Sequence, residues 1–224
     1  MPDATVKFEN ARFIITMDPQ RRIIANGSVV VQGHRILQVG KADELAQVQA
    51  ERVVDATDMV VTPGFVNGHM HISYAHATRG IFPDDLGSAY LPNVFKLQAI
   101  MTEEEEYHTS LLAITELLKN GTTTFMDPGS TKYIDRCLDA YKQAGCRIIT
   151  GTHVTDKPGS LGLPVSTTAD AIETVESTIK KFDGQLDGRV SAWAMPFAPS
   201  MCTDELLLAC KRLADQYGTG MTLH

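Results

Sequence analysis

Short apolar runs separated by polar and glycine-containing stretches make up residues 1–62. The runs Thr5–Phe8, Arg12–Thr16, Ser28–Gln32, Arg35–Val39 and Arg52–Asp55 are rich in β-branched residues, and such runs read as half-buried strands. Asn26-Gly27 and Gly33-His34 are the expected turns between them. Lys41–Ala50 is the one helical-looking insertion. The segment 1–62 is therefore expected to form a small β module.

After Pro63-Gly64 the pattern changes. Short apolar runs alternate with stretches of helical spacing, as in a parallel sheet wrapped by helices. The expected strands are Phe65–His71, Thr122–Met126, Cys146–Val154, Arg189–Phe197 and Met221–His224. Helices are expected from Thr102 to Asn120 and over 131–144, 169–182 and 203–217. Thr102 and Glu105 have capping-box spacing, and Asn120-Gly121, Gly145 and Gly218 are stop signals. The acidic run Glu103–Glu106 suits the positive end of the helix dipole and reads as a solvated first turn, not as a metal site. The stretch containing Gly80, Pro83, Gly87 and Pro92 reads as a loop.

Composition narrows the function classes. With 43% hydrophobic and 21% charged residues, the chain has the makeup of a folded domain and not of a disordered or fibrous one. A net charge of −7 argues against nucleic acid or anionic lipid as a partner. No run reaches the roughly 18 apolar residues of a membrane span, and the first residues lack a secretory pattern. A cytoplasmic location is expected, with Cys137, Cys146, Cys202 and Cys210 as reduced thiols, since none forms a CxxC pair. Self-association into a homo-oligomer stays open.

The chemistry-bearing stretch is Pro63-Gly64-Phe65-Val66-Asn67-Gly68-His69-Met70-His71. Histidines at i and i+2 of a strand point to one face, and neutral imidazoles suit zinc, ferrous iron and similar ions. His69 and His71 fall at the C-terminal end of the first β/α strand, where β/α barrels place their active sites. Asp127 and His153 fall at the ends of the second and third strands and face the same mouth. Either contacts substrate or merely caps the following segment.

This stretch resembles the strand-1 motif PGxxxxHxH of the amidohydrolase superfamily, and the ending Gly220-Met221-Thr222-Leu223-His224 is similar to its strand-5 ligand segment. The match is to the triazine hydrolase and cytosine deaminase-like branch. The resemblance implies an α/β fold, an incomplete (β/α)8 TIM-type barrel made of strands 1–5 over residues 63–224. Residues 1–62 would be the N-terminal half of a composite β-sandwich. It implies one divalent metal, zinc ahead of Fe2+, held by His69, His71 and His224. The strand-4 segment lacks the lysine of two-metal members, which disfavours a binuclear dihydroorotase or hydantoinase type.

The implied activity is hydrolysis of a non-peptide C–N bond, or of a ring C–Cl, amide or urea-type bond, in a small molecule by a metal-activated water. The general base, an aspartate of strand 8, and a further strand-6 histidine are expected past residue 224, so the catalytic residues stay unassigned. Tyr74 and Arg79 lie in a loop that resembles the family pattern HxHxxxxxxxRG and either face substrate or anchor the loop. Phe197 stands where adenosine deaminases typically carry histidine, which points to smaller or more apolar substrates than nucleosides. A complete barrel takes about 250 residues, more than the chain has after residue 62. The rival expectation is accordingly a non-catalytic fragment or binding module of the same ancestry.

Overall fold

A computed structural model describes residues 4–224 in two compact units, Met1–Gly64 and Phe65–His224. In the first, β1 (Ala4–Ile15), β2 (Ile23–Gln32), β3 (Arg35–Lys41) and β4 (Ala50–Asp55) form a sheet of order β3-β2-β1-β4, with β5 (Val60–Val61) also paired to β1. β2 runs antiparallel to β1 and β3, while β4 and β5 run parallel to β1. Ala11, Ile14, Val29 and Ala56 form its main core.

The two runs expected as separate strands, Thr5–Phe8 and Arg12–Thr16, are one strand with a register shift between Phe8 and Ala11. Asn10 takes a φ of 59° there, and the extra residue bends the strand without ending it. Asn26-Gly27 is likewise not a turn but lies inside β2, with Gly27 opposite Ala11. Gly33-His34 does close the β2–β3 hairpin. Lys41–Ala50 forms successive turns and no helix; Leu45 packs with Ala4 and Val30, and the Glu44 carboxylate accepts the Lys41 N–H at 3.0 Å.

The second unit opens with β6 (Phe65–Asn67). Three elements follow it, α1 (Tyr74–Thr78), a 3-10 segment at Asp84–Ala89 and α2 (Tyr90–Ile100), in place of the loop that the sequence pattern predicts. Pro92 is compatible with α2 because it sits in the first turn, whose N–H groups have no intrahelical partner. Then come α3 (Glu103–Lys119), β7 (Thr122–Met126), α4 (Ile134–Ala144), β8 (Arg147–Thr150), β9 (His153–Val154), α5 (Thr168–Phe182), the single turn α6 (Gln185–Gly188), β10 (Val190–Ala192), β11 (Met195–Pro196) and α7 (Asp204–Tyr217).

All pairings in this unit are parallel. The sheet order β10-β8-β7-β6 follows the chain, β11 pairs β9, and Met221 bridges to Ala194. The third and fourth expected strands are each interrupted, at Gly151-Thr152 and at Trp193-Ala194. Gly151 is required there, since a Cβ would lie 2.6 Å from the Trp193 carbonyl oxygen. One core gathers Ile72, Ile114, Phe125, Tyr141 and Ile148 beneath α3 and α4. Another gathers Val175, Ile179, Leu206 and Cys210 beneath α5 and α7.

The capping box of α3 is formed in full by Thr102 and Glu105. Glu106, read as part of a solvated turn, is instead fully buried. Its carboxylate accepts the backbone N–H groups of Lys132 at 3.0 Å and Tyr133 at 2.5 Å, so it caps the approach to α4. Among the described residues no helix is long and apolar enough to cross a membrane.

Candidate metal centre

β6 ends at Asn67, so His69 and His71 lie just past the strand and not within it. The segment stays pinned to the sheet: Met70 N–H donates to the Met126 carbonyl at 2.8 Å, and Asn67 Oδ1 accepts the His69 N–H at 3.1 Å. At the far end of the unit, Thr222 N–H donates to the Ala194 carbonyl at 3.0 Å and His224 N–H to the Phe197 carbonyl at 2.8 Å. These bonds bring His224 to the two earlier histidines. One ligand-capable nitrogen from each of His69, His71 and His224 lies within 4.8 Å of the others, and the cluster contains no carboxylate.

The ring of His71 stacks on that of His224, with centroids 5.3 Å apart, and His69 meets both edge-on. Nε2 of His71 and Nε2 of His224 are 3.4 Å apart. Burial, reinforced by His224, His69 and His153, pushes the His71 pKa down to about 4. The ring is therefore neutral at pH 7. Burial also lowers His224, to which His69 adds.

The other candidates fall into three groups. Tyr74 and Phe197 flank the cluster, Tyr74 with its ring 5.2 Å from His71 and Phe197 stacked 4.9 Å from His224. His153 packs edge-on against Phe197 at 5.4 Å and lines a cavity of about 490 Å3 with Phe95, Ser130, Leu161 and Leu163. Its Nδ1 is buried without a partner, and burial pushes its pKa down to about 4. Arg79 is not joined to this group. Its guanidinium pairs with Glu116 of α3 at 3.1 Å and reaches His76 Nε2 at 3.0 Å, which supports the anchoring role.

Asp127 is fully buried and does not open to the mouth. Its Oδ1 accepts the Ser130 hydroxyl at 2.5 Å, and its Oδ2 accepts the Thr131 hydroxyl. Desolvation raises its pKa to about 6 against these bonds. Ser130, which no motif in the sequence singles out, also lies 3.0 Å from His71 Nδ1. The spacing Asp127-Pro128-Gly129-Ser130 is the local signal that could have found it, because an aspartate commonly bonds the residues that follow it in a turn.

A parallel β/α sheet with three histidines gathered past its strand ends has its cluster where such sheets place their functional sites. Residues 60–224 match the amidohydrolase family, and the chain belongs to that family. It is 31% identical to a 5'-deoxyadenosine deaminase of Methanosarcina barkeri over all of this chain and 49% of that protein. It is 28% identical to a 5-methylthioadenosine/S-adenosylhomocysteine deaminase of Symbiobacterium thermophilum over 94% of this chain and 47% of that one. The chain thus spans about half the length of the curated relatives it matches.

Among solved structures, an atrazine chlorohydrolase from Arthrobacter aurescens complexed with zinc superposes with a TM-score of 0.83 at 22% identity, over 98% of this chain and 52% of that one. An adenosine deaminase from Xanthomonas campestris with bound zinc gives 0.82 at 24% identity, over 99% and 49%. The fold is therefore shared equally with a dechlorinating and a deaminating neighbour.

Proposed function

We propose that His69, His71 and His224 hold one divalent ion, zinc ahead of ferrous iron, and that the full-length protein uses it to hydrolyse a non-peptide C–N or related ring bond in a small molecule. The observation that carries this reading is the convergence of three imidazoles from opposite ends of one β/α unit. The donor set fits the ion in kind, with all three nitrogens within 4.8 Å of one another, and its His71–His224 pair fits in spacing. Ligands about 2.0–2.1 Å from a tetrahedral zinc lie roughly 3.3–3.4 Å from each other, and the Nε2 atoms of His71 and His224 are 3.4 Å apart. When bound, such an ion supplies Lewis acidity and a nucleophilic water near neutral pH.

The chain's own residues prepare that chemistry. His71 stays neutral, so its lone pair is available as a ligand. Tyr74, whose pKa burial pushes above the ordinary tyrosine range, remains an uncharged hydroxyl beside the His71 ring. Tyr74 and Phe197 wall the cluster with aromatic faces, and His153 presents its ring to the adjoining cavity. The general base is assigned to a carboxylate outside these residues. In this reading residues 63–224 are the first five strand units of an eight-stranded barrel, and residues 1–62 are part of a sandwich. Buried, unbridged cysteines support a reducing, cytoplasmic location.

The deaminase relatives favour an exocyclic amine as leaving group, and Phe197 favours a ring smaller or more apolar than a nucleoside. Both reduce to hydrolytic displacement at an electron-poor ring carbon. The test is release of ammonia or chloride from aminopurines and chlorotriazines by the zinc-loaded full-length protein. Release abolished by His71→Ala is expected; no release of either product while zinc is bound would overturn the activity.

A further inference from the structure

The reading of the three histidines as ligands leaves open what fixes the ring nitrogen that each presents. For His71 the hydrogen bonds answer it. The Ser130 side chain carries one hydroxyl hydrogen, and Asp127 Oδ1, an acceptor when ionised, takes it at 2.5 Å. The Ser130 oxygen is then left to accept, and the group facing it at 3.0 Å is His71 Nδ1. Nδ1 must therefore carry the ring hydrogen, and Nε2 carries the lone pair. Nε2 is also the atom that faces His224.

The loop bearing Ser130 is held from several sides. Gln98 Nε2 of α2 donates to the Ser130 carbonyl, and the Ser130 N–H donates to Asp127 Oδ1 at 3.3 Å. The buried Glu106 clamps Lys132 and Tyr133 immediately after it. Lys132 Nζ in turn reaches the carbonyls of Gln98, Ala99 and Met101. Ser130 cannot drift from His71 without breaking bonds on both flanking elements.

We propose that Asp127 and Ser130 are positioning residues that act in series, locking His71 in the Nδ1–H tautomer with Nε2 aimed at the metal. The inference rests on the reading of His71 as a ligand. Outer partners of ligating histidines fix tautomer and ring orientation in this way, and their loss typically weakens metal binding about 10–100-fold.

The test combines zinc titration with nitrogen-15 NMR of the histidine rings in the full-length protein. In the zinc-free protein His71 should show the Nδ1–H tautomer; the Nε2–H tautomer would overturn the proposal whatever the variants do. Ser130→Ala and Asp127→Ala should each weaken zinc binding about 10–100-fold and release His71 into a mixture of tautomers. Thr131→Val removes the other hydroxyl on Asp127 but not the path to His71, and should bind zinc within about twofold of the parent. Equal loss in Thr131→Val and Ser130→Ala would mark mere loop damage and sink the proposal, as would undiminished zinc affinity in folded Ser130→Ala. Failure of the ligand reading itself looks different: His71→Ala would then bind zinc as well as the parent.

Discussion

At the scale of single residues, three histidines gather past the strand ends and a serine faces one of them. His69 and His71 announce themselves by spacing, and His224 through the family ending. Ser130 is an ordinary polar residue in a turn, and only its place 3.0 Å from His71 gives it a role. Two predictions belong here. Gly129 has a φ of 86°, and a Cβ on it would lie 2.7 Å from the His153 backbone nitrogen. Gly129→Ala should therefore cost about 2–3 kcal/mol of stability in denaturant unfolding; a change under about 0.5 kcal/mol would show that the loop yields freely. The second concerns pH. Asp127, raised to about 6 in the folded chain, contributes stability present below its unfolded value and lost as pH rises through 6. His71 and His153, lowered from 6.5 to about 4, contribute stability present above 6.5 and lost as pH falls through 4. Two imidazoles outweigh one carboxyl displaced by a similar amount. In chelator the melting temperature should fall between pH 6.5 and 4, and His153→Phe should flatten the fall; a rise with acid would contradict the burial of these rings.

At the scale of elements, the β/α alternation was readable because helices and strands have different apolar periods and Gly145 and Gly218 end helices in the expected left-handed cap. Three misreadings have physical causes. Asn26-Gly27 carries turn chemistry, yet pairing with β1 on one side and β3 on the other keeps it in a strand. α2 hides behind a proline that its first turn tolerates. Glu106 sits in an acidic run, but it shares a helix face with the buried Ser110, Ala113 and Ile114, and that i, i+4, i+7, i+8 spacing was the available clue. Glu106→Ala should cost about 2 kcal/mol by stranding two backbone donors, with Glu106→Gln losing less. Thr102→Ala, which removes only a surface cap, should cost about 1 kcal/mol. If calorimetry ranks the two the other way, Glu106 is not the clamp described.

At the scale of the whole molecule, the curated relatives are deaminases, and the fold is shared with a deaminase and a chlorohydrolase alike. The site has to carry the functional argument. Its cluster supplies three imidazoles, so the 224-residue chain should bind zinc. The central claim, that His69, His71 and His224 share one ion, is tested most directly by metal content with X-ray absorption at the zinc edge. The account predicts one zinc per chain with three nitrogen ligands at about 2.0–2.1 Å, and loss of the metal in His69→Ala, His71→Ala and His224→Ala. Unchanged stoichiometry in any of those three variants would contradict it.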